Sequence, residues 1–430
     1  MFFAEISSAQ TFSPVTANLP HVRDGAAAWG DYDNDGDLDV LITGIQDNQV
    51  AVSRLFQNNG SGGFMEINAG LTPVFFSAVA WGDYNNDGWL DILLTGRNAS
   101  ASPVSKVYRN NGGNTFSEID AGLTPVEKSS VDWGDYDNDG DLDILLAGAA
   151  NSTTNISVIY ENDSFDFKLF DPGLPGISEG TAAWGDYDND GDYDVLLTGS
   201  GIAKVFRNDG AIFFTDVNAA LAGGVVSSSS AWADYDSDGD LDILITGSYF
   251  ADVYRNDGSN VFNSIGLPVS KGVARSSVAW GDYDNDGDLD FTITGDDNSL
   301  NRVASLFRND GGNTFTDVPV GFTGLWYSAS ACGDFNNDGR LDVLMSGEDA
   351  LFQAKTILYE NTSADSNAIP SAPTNLNATE LPHRSVLSWN MATDAETPAS
   401  GLTYNVYVGV AGNLSEFVSA MSEIPSGYRR

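Results

Sequence analysis

The run Ala28-Trp29-Gly30-Asp31-Tyr32-Asp33-Asn34-Asp35-Gly36-Asp37-Leu38-Asp39 returns six more times, with small changes, along the 430-residue chain. Its first aspartate falls at Asp31, Asp83, Asp135, Asp186, Asp234, Asp282 and Asp334, at spacings of 52, 52, 51, 48, 48 and 52. A regular period near fifty residues fits one four-stranded blade per repeat of a β-propeller.

Each repeat reads as four strands. The first is short and built of small residues, as in Ser77-Ala78-Val79-Ala80-Trp81, which suits the crowded position next to a central axis. The acidic run follows as a loop. An apolar strand comes next, Leu90 to Thr95, ending at Gly96. A third strand, Lys106-Val107-Tyr108-Arg109, runs into Asn110-Asn111-Gly112, a hairpin signal because Asn and Gly tolerate positive φ. Thr115 to Ile119 supplies the fourth. The seventh repeat stops after its third strand, Thr356 to Asn361, while Thr11-Phe12-Ser13-Pro14-Val15 at the other end aligns with Thr115 to Ile119. An N-terminal strand that completes the last blade would leave no open edge. Pro14 is acceptable there, since the strand is outermost.

The acidic loops predict metal sites. Carboxylates at alternate positions of a tight turn converge on one point, and Ca²⁺ takes six to eight hard oxygens in flexible geometry. Positions one, three, five and nine offer side chains, and position seven a backbone carbonyl. The sets are Asp31, Asp33, Asp35, Asp37 and Asp39; Asp83, Asn85, Asp87, Trp89 and Asp91; Asp135, Asp137, Asp139, Asp141 and Asp143; Asp186, Asp188, Asp190, Asp192 and Asp194. The remainder are Asp234, Asp236, Asp238, Asp240 and Asp242; Asp282, Asp284, Asp286, Asp288 and Asp290; and Asp334, Asn336, Asp338, Arg340 and Asp342. An EF-hand would need a glutamate at position twelve and a helix beyond it; Ile42 and a strand stand there instead. Solvated Asx-rich turns are the plain alternative for one loop, and a poor one for seven of the same spacing. The expectation is up to seven Ca²⁺ ions, one per blade. Mg²⁺ suits these loops less, because it demands a smaller, stricter shell.

Charge agrees with that reading. The chain carries 61 acidic and 19 basic residues, a net charge of −42, and 31 of the acids lie in the seven loops. Such a surface repels nucleic acid and anionic membranes. No stretch reaches the roughly 18 consecutive apolar residues of a membrane span. Cys332 is the single cysteine, so no intrachain disulfide forms, and a large metal-bound domain needs none. Met1 to Gln10 lacks the basic and apolar regions of a signal peptide. The expectation is a leader already removed, or a piece of a longer multidomain chain.

The acidic runs, with the Arg-Asn-Asp-Gly turns at Arg207–Gly210, Arg255–Gly258 and Arg308–Gly311, resemble the FG-GAP/VCBS repeat family, which includes the integrin α-subunit propeller. The resemblance covers residues 11–363. It implies an all-β, seven-bladed propeller over residues 1–365, with Ca²⁺ in the loops between first and second strands, and extracellular adhesion or ligand binding. Cys332 departs from the pattern, replacing the tryptophan found at 29, 81, 133, 184, 232 and 280, which reads as packing between blades. Residues 366–374 read as a linker, and residues 375–430 resemble the early strands of a fibronectin type III domain, through Leu387-Ser388-Trp389 and Thr403-Tyr404-Asn405-Val406-Tyr407.

Function is expected at the end of the ring away from the acidic loops. The two positions before each inner strand should circle the channel mouth: Arg23/Asp24, Phe75/Phe76, Glu127/Lys128, Ser178/Glu179, Val226/Ser227, Ala274/Arg275 and Trp326/Tyr327. Closure of the ring gathers Arg23, Asp24, Phe75, Phe76, Trp326 and Tyr327 as a candidate surface for a protein or glycan ligand. Packing of those aromatics into blade contacts is the competing expectation. An enzyme is not expected. The two histidines, His21 and His383, lie in different segments, and no nucleophile elbow, Cys/His pair or zinc pattern occurs. The readings kept open beside a secreted or cell-surface binding module are a structural spacer and a non-catalytic propeller attached to a polysaccharide-active enzyme.

Overall fold

The computed structural model describes residues 10–60, 62–210, 213–222, 226–267, 272–364, 372–381, 384–390 and 392. The described residues are all-β, without helix. Their antiparallel sheets contain seven four-stranded units. Unit 2 is typical: Val74–Gly82 innermost, then Asp91–Asn98, Pro103–Asn110 and Phe116–Ile119. Units 1 and 2 are joined by one extra pairing, Val52 with Val74. Unit 7 takes its outer strand from the N-terminus: Phe12–Val15 pairs with Ala354–Asn361, Phe12 opposite Asn361 and Val15 opposite Leu358.

Burial follows from position in the sheet. Second strands such as Asp39–Ile45 and Asp342–Glu348 are buried along their whole length, as expected of strands covered on both faces. Outer strands such as Phe64–Ile67 are half-buried at their ends, with both middle residues exposed. Several inner strands start earlier than sequence alone marks. Val74, rather than Ser77, opens that of unit 2, because a register shift between Phe75 and Ala78 absorbs the residues at the mouth.

The units lock through the repeated tryptophan. A Cβ added to Gly30 would stand 2.8 Å from the Trp81 ring, and one on Gly82 2.6 Å from Trp133, so each glycine leaves room for the next unit's indole. The same indoles stack on the preceding unit's tyrosine: Tyr32 on Trp81 at 6.2 Å and 9°, Tyr187 on Trp232 at 6.2 Å and 6°. The joint between units 6 and 7 lacks the indole. There Cys332 donates to the Trp280 carbonyl at 3.0 Å, and Phe12 and Phe322 cluster near Tyr283 and Tyr359. The ring closes between units 7 and 1, where Gly333 receives Trp29 and Asn58 donates to the Phe335 carbonyl at 2.7 Å. The architecture is a β-propeller.

Beyond it, Thr374–Leu381 pairs antiparallel with Arg384–Asn390. Leu387 to Trp389 lies in the second of these strands. Met1 to Ala9, most of the linker, His383 and Thr403 to Tyr407 lie outside the described residues.

Candidate metal centres and ligand face

Each acidic loop folds around its own backbone. In loop 1, Asp31 accepts the amides of Asp35 and Gly36, both at 3.0 Å, which closes the turn. Gly36 at φ 91° and Asn34 at φ 58° take the left-handed conformations that the turn requires. Asp39, the first residue of the second strand, accepts the Tyr32 amide at 3.2 Å and the Asn58 amide at 2.8 Å. These bonds fix the carboxylates of positions one and nine, and the Gln57 side-chain amide donates to that of Asp33 at position three. In five loops the three carboxylates bring oxygens within 4.8 Å of each other: Asp31, Asp33, Asp39; Asp135, Asp137, Asp143; Asp186, Asp188, Asp194; Asp234, Asp236, Asp242; Asp282, Asp284, Asp290.

The donor set fits a hard divalent cation. Oδ1 of Asp33, Asp137 and Asp284 is buried without a hydrogen-bond partner. Buried acceptors are rarely left so, and a cation among the three carboxylates would satisfy them. Electrostatics point the same way. Burial pushes Asp39 and Asp290 up to about 9, and Asp91, Asp143, Asp194, Asp242 and Asp342 up to about 8, with neighbouring acids adding to the rise. Burial first and the flanking aspartates second raise Asp284 to about 7. Such acids ionise near neutral pH only against a local positive charge.

The other sequence-predicted ligands divide. Position-five acids lie outside the trios; Asp35 Oδ1 accepts the Asp37 amide at 3.0 Å. Position-seven acids turn to the neighbouring loop: Asp141 Oδ1 accepts from Asn86 at 3.0 Å and Asp192 Oδ1 from Asn138 at 2.8 Å. Loops 2 and 7 form no three-acid cluster, since asparagine holds position three. An arginine sits on their position-five carboxylate instead: Arg109 on Asp87 at 2.9 Å, Arg340 on Asp338 at 2.6 Å. Asn85 donates to Asp91 at 3.4 Å, Asn336 to Glu360 at 3.4 Å, and the Trp89 amide to Asp87 at 3.1 Å.

Sequence reading missed the asparagine ending each third strand. It had marked only a turn. Each side chain crosses to the preceding unit: Asn110 to the Tyr32 carbonyl at 2.8 Å, Asn162 to Tyr84 at 2.8 Å, Asn309 to Tyr235 at 2.9 Å. Its recurrence one period apart was the available signal.

At the other end, one cavity of about 170 Å³ is lined by two consecutive residues from every unit. The first of each pair is Asp24, Phe76, Lys128, Glu179, Ser227, Arg275 or Tyr327. All seven have φ between 47° and 52°. Their backbones link across units, as in Phe76 N to Asp24 O at 2.6 Å and Asp24 N to Tyr327 O at 3.1 Å. Below the mouth, hydroxyls pair between units: Thr43 with Ser77 at 2.8 Å, Thr95 with Ser129 at 2.7 Å, Thr294 with Ser328 at 2.8 Å.

The candidate aromatics here carry the protein's own cations. Arg302 lies 3.5 Å and Arg275 4.5 Å from the Trp326 ring centre, while the indole N–H donates to Glu348 at 2.6 Å. Arg97 and Lys128 lie over Phe76 at 5.4 and 5.5 Å, and Arg97 at 5.9 Å over Phe75. Arg23 pairs with Asp24 at 2.8 Å and with Glu348 at 3.3 Å; burial nevertheless lifts Asp24 to about 6. Beside this ring a larger cleft of about 670 Å³ opens between the outer hairpins of units 6 and 7. It is lined by Leu300, Asn301, Arg302, Trp326, Asp349 and Phe352, among others. Leu300, Leu351 and Phe352 stand exposed on its rim.

The FG-GAP-like repeat matches residues 31–94, 94–146, 186–245 and 234–293, together just over half of the chain. The chain belongs to the FG-GAP-like repeat family. This FG-GAP-like repeat protein has no match among curated proteins. Among solved structures it is similar to an Agrocybe aegerita lectin that recognises non-reducing terminal N-acetylglucosamine (18% identity, 83% of this chain and 94% of the other, TM-score 0.43). It is also similar to a rhamnogalacturonan lyase (10% identity, 81% and 75%, TM-score 0.45). A third is a Penicillium chrysogenum α-L-arabinanase complexed with arabinobiose (12% identity, 83% and 98%, TM-score 0.44).

Proposed function

We propose that this chain is a calcium-loaded propeller that serves as a non-catalytic ligand-binding module of a secreted or cell-surface protein. The observation behind the metal is the set of five acid trios, three of them holding a buried oxygen without a partner. Ca²⁺ is the cation favoured, because the ligands are all oxygens on a flexible turn. Five loops take it directly. Loops 2 and 7, with an amide at position three and a guanidinium on position five, bind it weakly or not at all. Bound Ca²⁺ would neutralise the trios and so add its binding free energy to folding.

The binding role rests on the mouth end, where the units stop resembling one another. The cleft between the hairpins of units 6 and 7 combines exposed Leu351 and Phe352 with Asn301 and Asp349. A sugar or a peptide, each with apolar faces and many hydrogen-bonding groups, suits such a lining.

Metal content of the purified chain after equilibration with Ca²⁺ tests the first half. About five ions per chain are expected, with a melting temperature that falls by about 10 °C or more in chelator and returns with Ca²⁺. A chain that retains no Ca²⁺ ends the metal reading. Glycan-array and pull-down screens of the native chain, repeated with the pair Leu351→Ser and Phe352→Ser, test the second. Binding lost in the pair supports the cleft. No ligand in either screen favours a structural spacer.

A further inference from the structure

We propose that adjacent complete trios take up cations as coupled neighbours, and that along the run of loops 3 to 6 the coupling is weakened at one joint, between loops 5 and 6. This rests on the reading of the acid trios as cation sites.

Six of the seven loops are tied to the next by the position-four side chain. Asn34 Nδ2 donates to the Gly88 carbonyl at 2.8 Å, Asn86 to Gly140 at 3.1 Å, Asn138 to Gly191 at 3.1 Å and Asn189 to Gly239 at 3.0 Å. Asn285 reaches Gly339 at 3.2 Å, and Asn337 reaches Gly36 at 3.3 Å across the closure of the ring. Where position seven is an aspartate, the same amide also bonds its carboxylate, as Asn189 does with Asp240 at 2.9 Å. Six joints are made in this way. At the seventh, position four is Ser237, whose shorter side chain makes no such bond to Gly287 or Asp288.

The bonded atoms move with the cation ligands. The acceptor is the carbonyl of position six, and the amide of that residue donates to the position-one carboxylate, as Gly239 does to Asp234 at 3.0 Å. The donor, position four, lies between ligand position three and the turn. A second tie runs backward. The Asn162 backbone amide donates to Asp143 Oδ1 at 2.7 Å, and its side-chain amide donates to the Tyr84 carbonyl, between positions one and three of loop 2, at 2.8 Å. This second tie is kept at the weak joint, by Asn309 to Tyr235 at 2.9 Å.

Coupling follows from the ordering that binding requires. A cation that fixes one loop also fixes the acceptor of its neighbour's asparagine, so the neighbour has less freedom left to lose. By linkage the effect is mutual. Loops 3, 4 and 5 are consecutive, carry complete trios and have both ties between them, so they should fill as a group. Loop 6, behind the weak joint, and loop 1, flanked by loops 7 and 2, should fill more independently.

The test is a Ca²⁺ titration of the full chain, by calorimetry and by tryptophan fluorescence. The variants are Asn138→Ser with Asn189→Ser, and separately Ser237→Asn. Serine already occupies this place in loop 5, and melting in saturating Ca²⁺ verifies that each variant folds. The native isotherm should be steeper than independent binding, with neighbours helping each other on the order of fivefold. The double serine variant should flatten it, and Ser237→Asn should tighten the last-filling site. Five ions bound with identical, non-cooperative isotherms in all three proteins would overturn the coupling and leave the sites standing. No bound Ca²⁺ at all would remove the sites themselves.

Discussion

At the acid-loop end, Asp39, Asp91, Asp143, Asp194, Asp242, Asp290 and Asp342 hold one place in seven units, and all are fully buried. At the mouth end, the one place shared by all units holds Asp24, Phe76, Lys128, Glu179, Ser227, Arg275 and Tyr327. Both places are fixed by the backbone. Only the first is fixed by chemistry. The mouth demands a left-handed residue seven times over and accepts aromatic, charged and hydroxyl side chains alike, although such φ values cost a non-glycine residue about 1–2 kcal/mol. One end of the ring therefore carries stability, and the other is free to carry recognition.

The largest expected break in that comparison comes from the acid end. Asp143→Ala removes one carboxylate of a trio proposed to hold a cation and strands the amides of Asn162 and Tyr136, which it holds at 2.7 and 3.1 Å. Denaturant unfolding in Ca²⁺ should show a loss of about 3–4 kcal/mol. Ser227→Ala at the mouth should stay within about 0.5 kcal/mol. Equal losses at the two places would show that the ends are not divided as described.

Without the proposed Ca²⁺ the same acids should become a liability with a defined sign. Their folded values, about 8 to 9, lie above the unfolded value near 4. In the chelated chain their contribution is fully present below about pH 4 and is lost as pH rises through 8 to 9. The chelated protein should therefore melt several degrees higher at pH 5 than at pH 9. With saturating Ca²⁺ the slope should reverse, since protons then compete with the ion. Calorimetric scans across that range decide it, and a flat chelated profile would contradict the burial of these carboxyls.

A smaller effect separates a structural acid from the loop acids. Asp132 replaces the alanine found before the other tryptophans, and its carboxylate bridges units 3 and 4 by accepting the amides of Trp133 and Trp184 at 3.0 Å each. Burial outweighs those two bonds and raises it to about 6. Its stabilising share is present below about pH 4 and fades as pH passes 6. Asp132→Asn keeps an acceptor without the charge, so the variant should gain about 1 kcal/mol at pH 8 relative to its balance at pH 5. Ca²⁺ should leave that gain unchanged, because Asp132 belongs to no trio.

These contrasts also mark what could be read in advance. The period placed the strands and the loops, and the type and spacing of residues such as Asp31, Asp33 and Asp39 pointed to acid clusters, whose oxygens the fold brings within 4.8 Å of one another. The residues circling the mouth were marked as the two positions before each inner strand, because a repeated backbone repeats its offsets. The roles of Asn34 and Asn162 were not legible. Both look like turn residues along the chain, and their partners lie in other repeats, which only the closed ring brings near. The state of Trp326 was hidden for the same reason: Arg275 and Arg302 come from the preceding unit.

The smallest expected change in stability is the sharpest test of the division. Phe352 lies at a hairpin tip with φ 59° and 68% of its surface exposed. A phenylalanine there is poorly placed on both counts, since glycine takes that φ freely and exposes no ring. Phe352→Gly relieves the strain and loses the contacts with Arg302, 5.0 Å away, and the edge of Trp326 at 6.4 Å. Thermal unfolding in Ca²⁺ should be unchanged or raised by a degree or two, while capture of any ligand found for the cleft should fall tenfold or more. A residue whose removal helps the fold and harms binding is kept for what it touches. If the variant instead melts several degrees lower and binds as before, Phe352 belongs to the packing of units 6 and 7, and the cleft is a by-product of that joint.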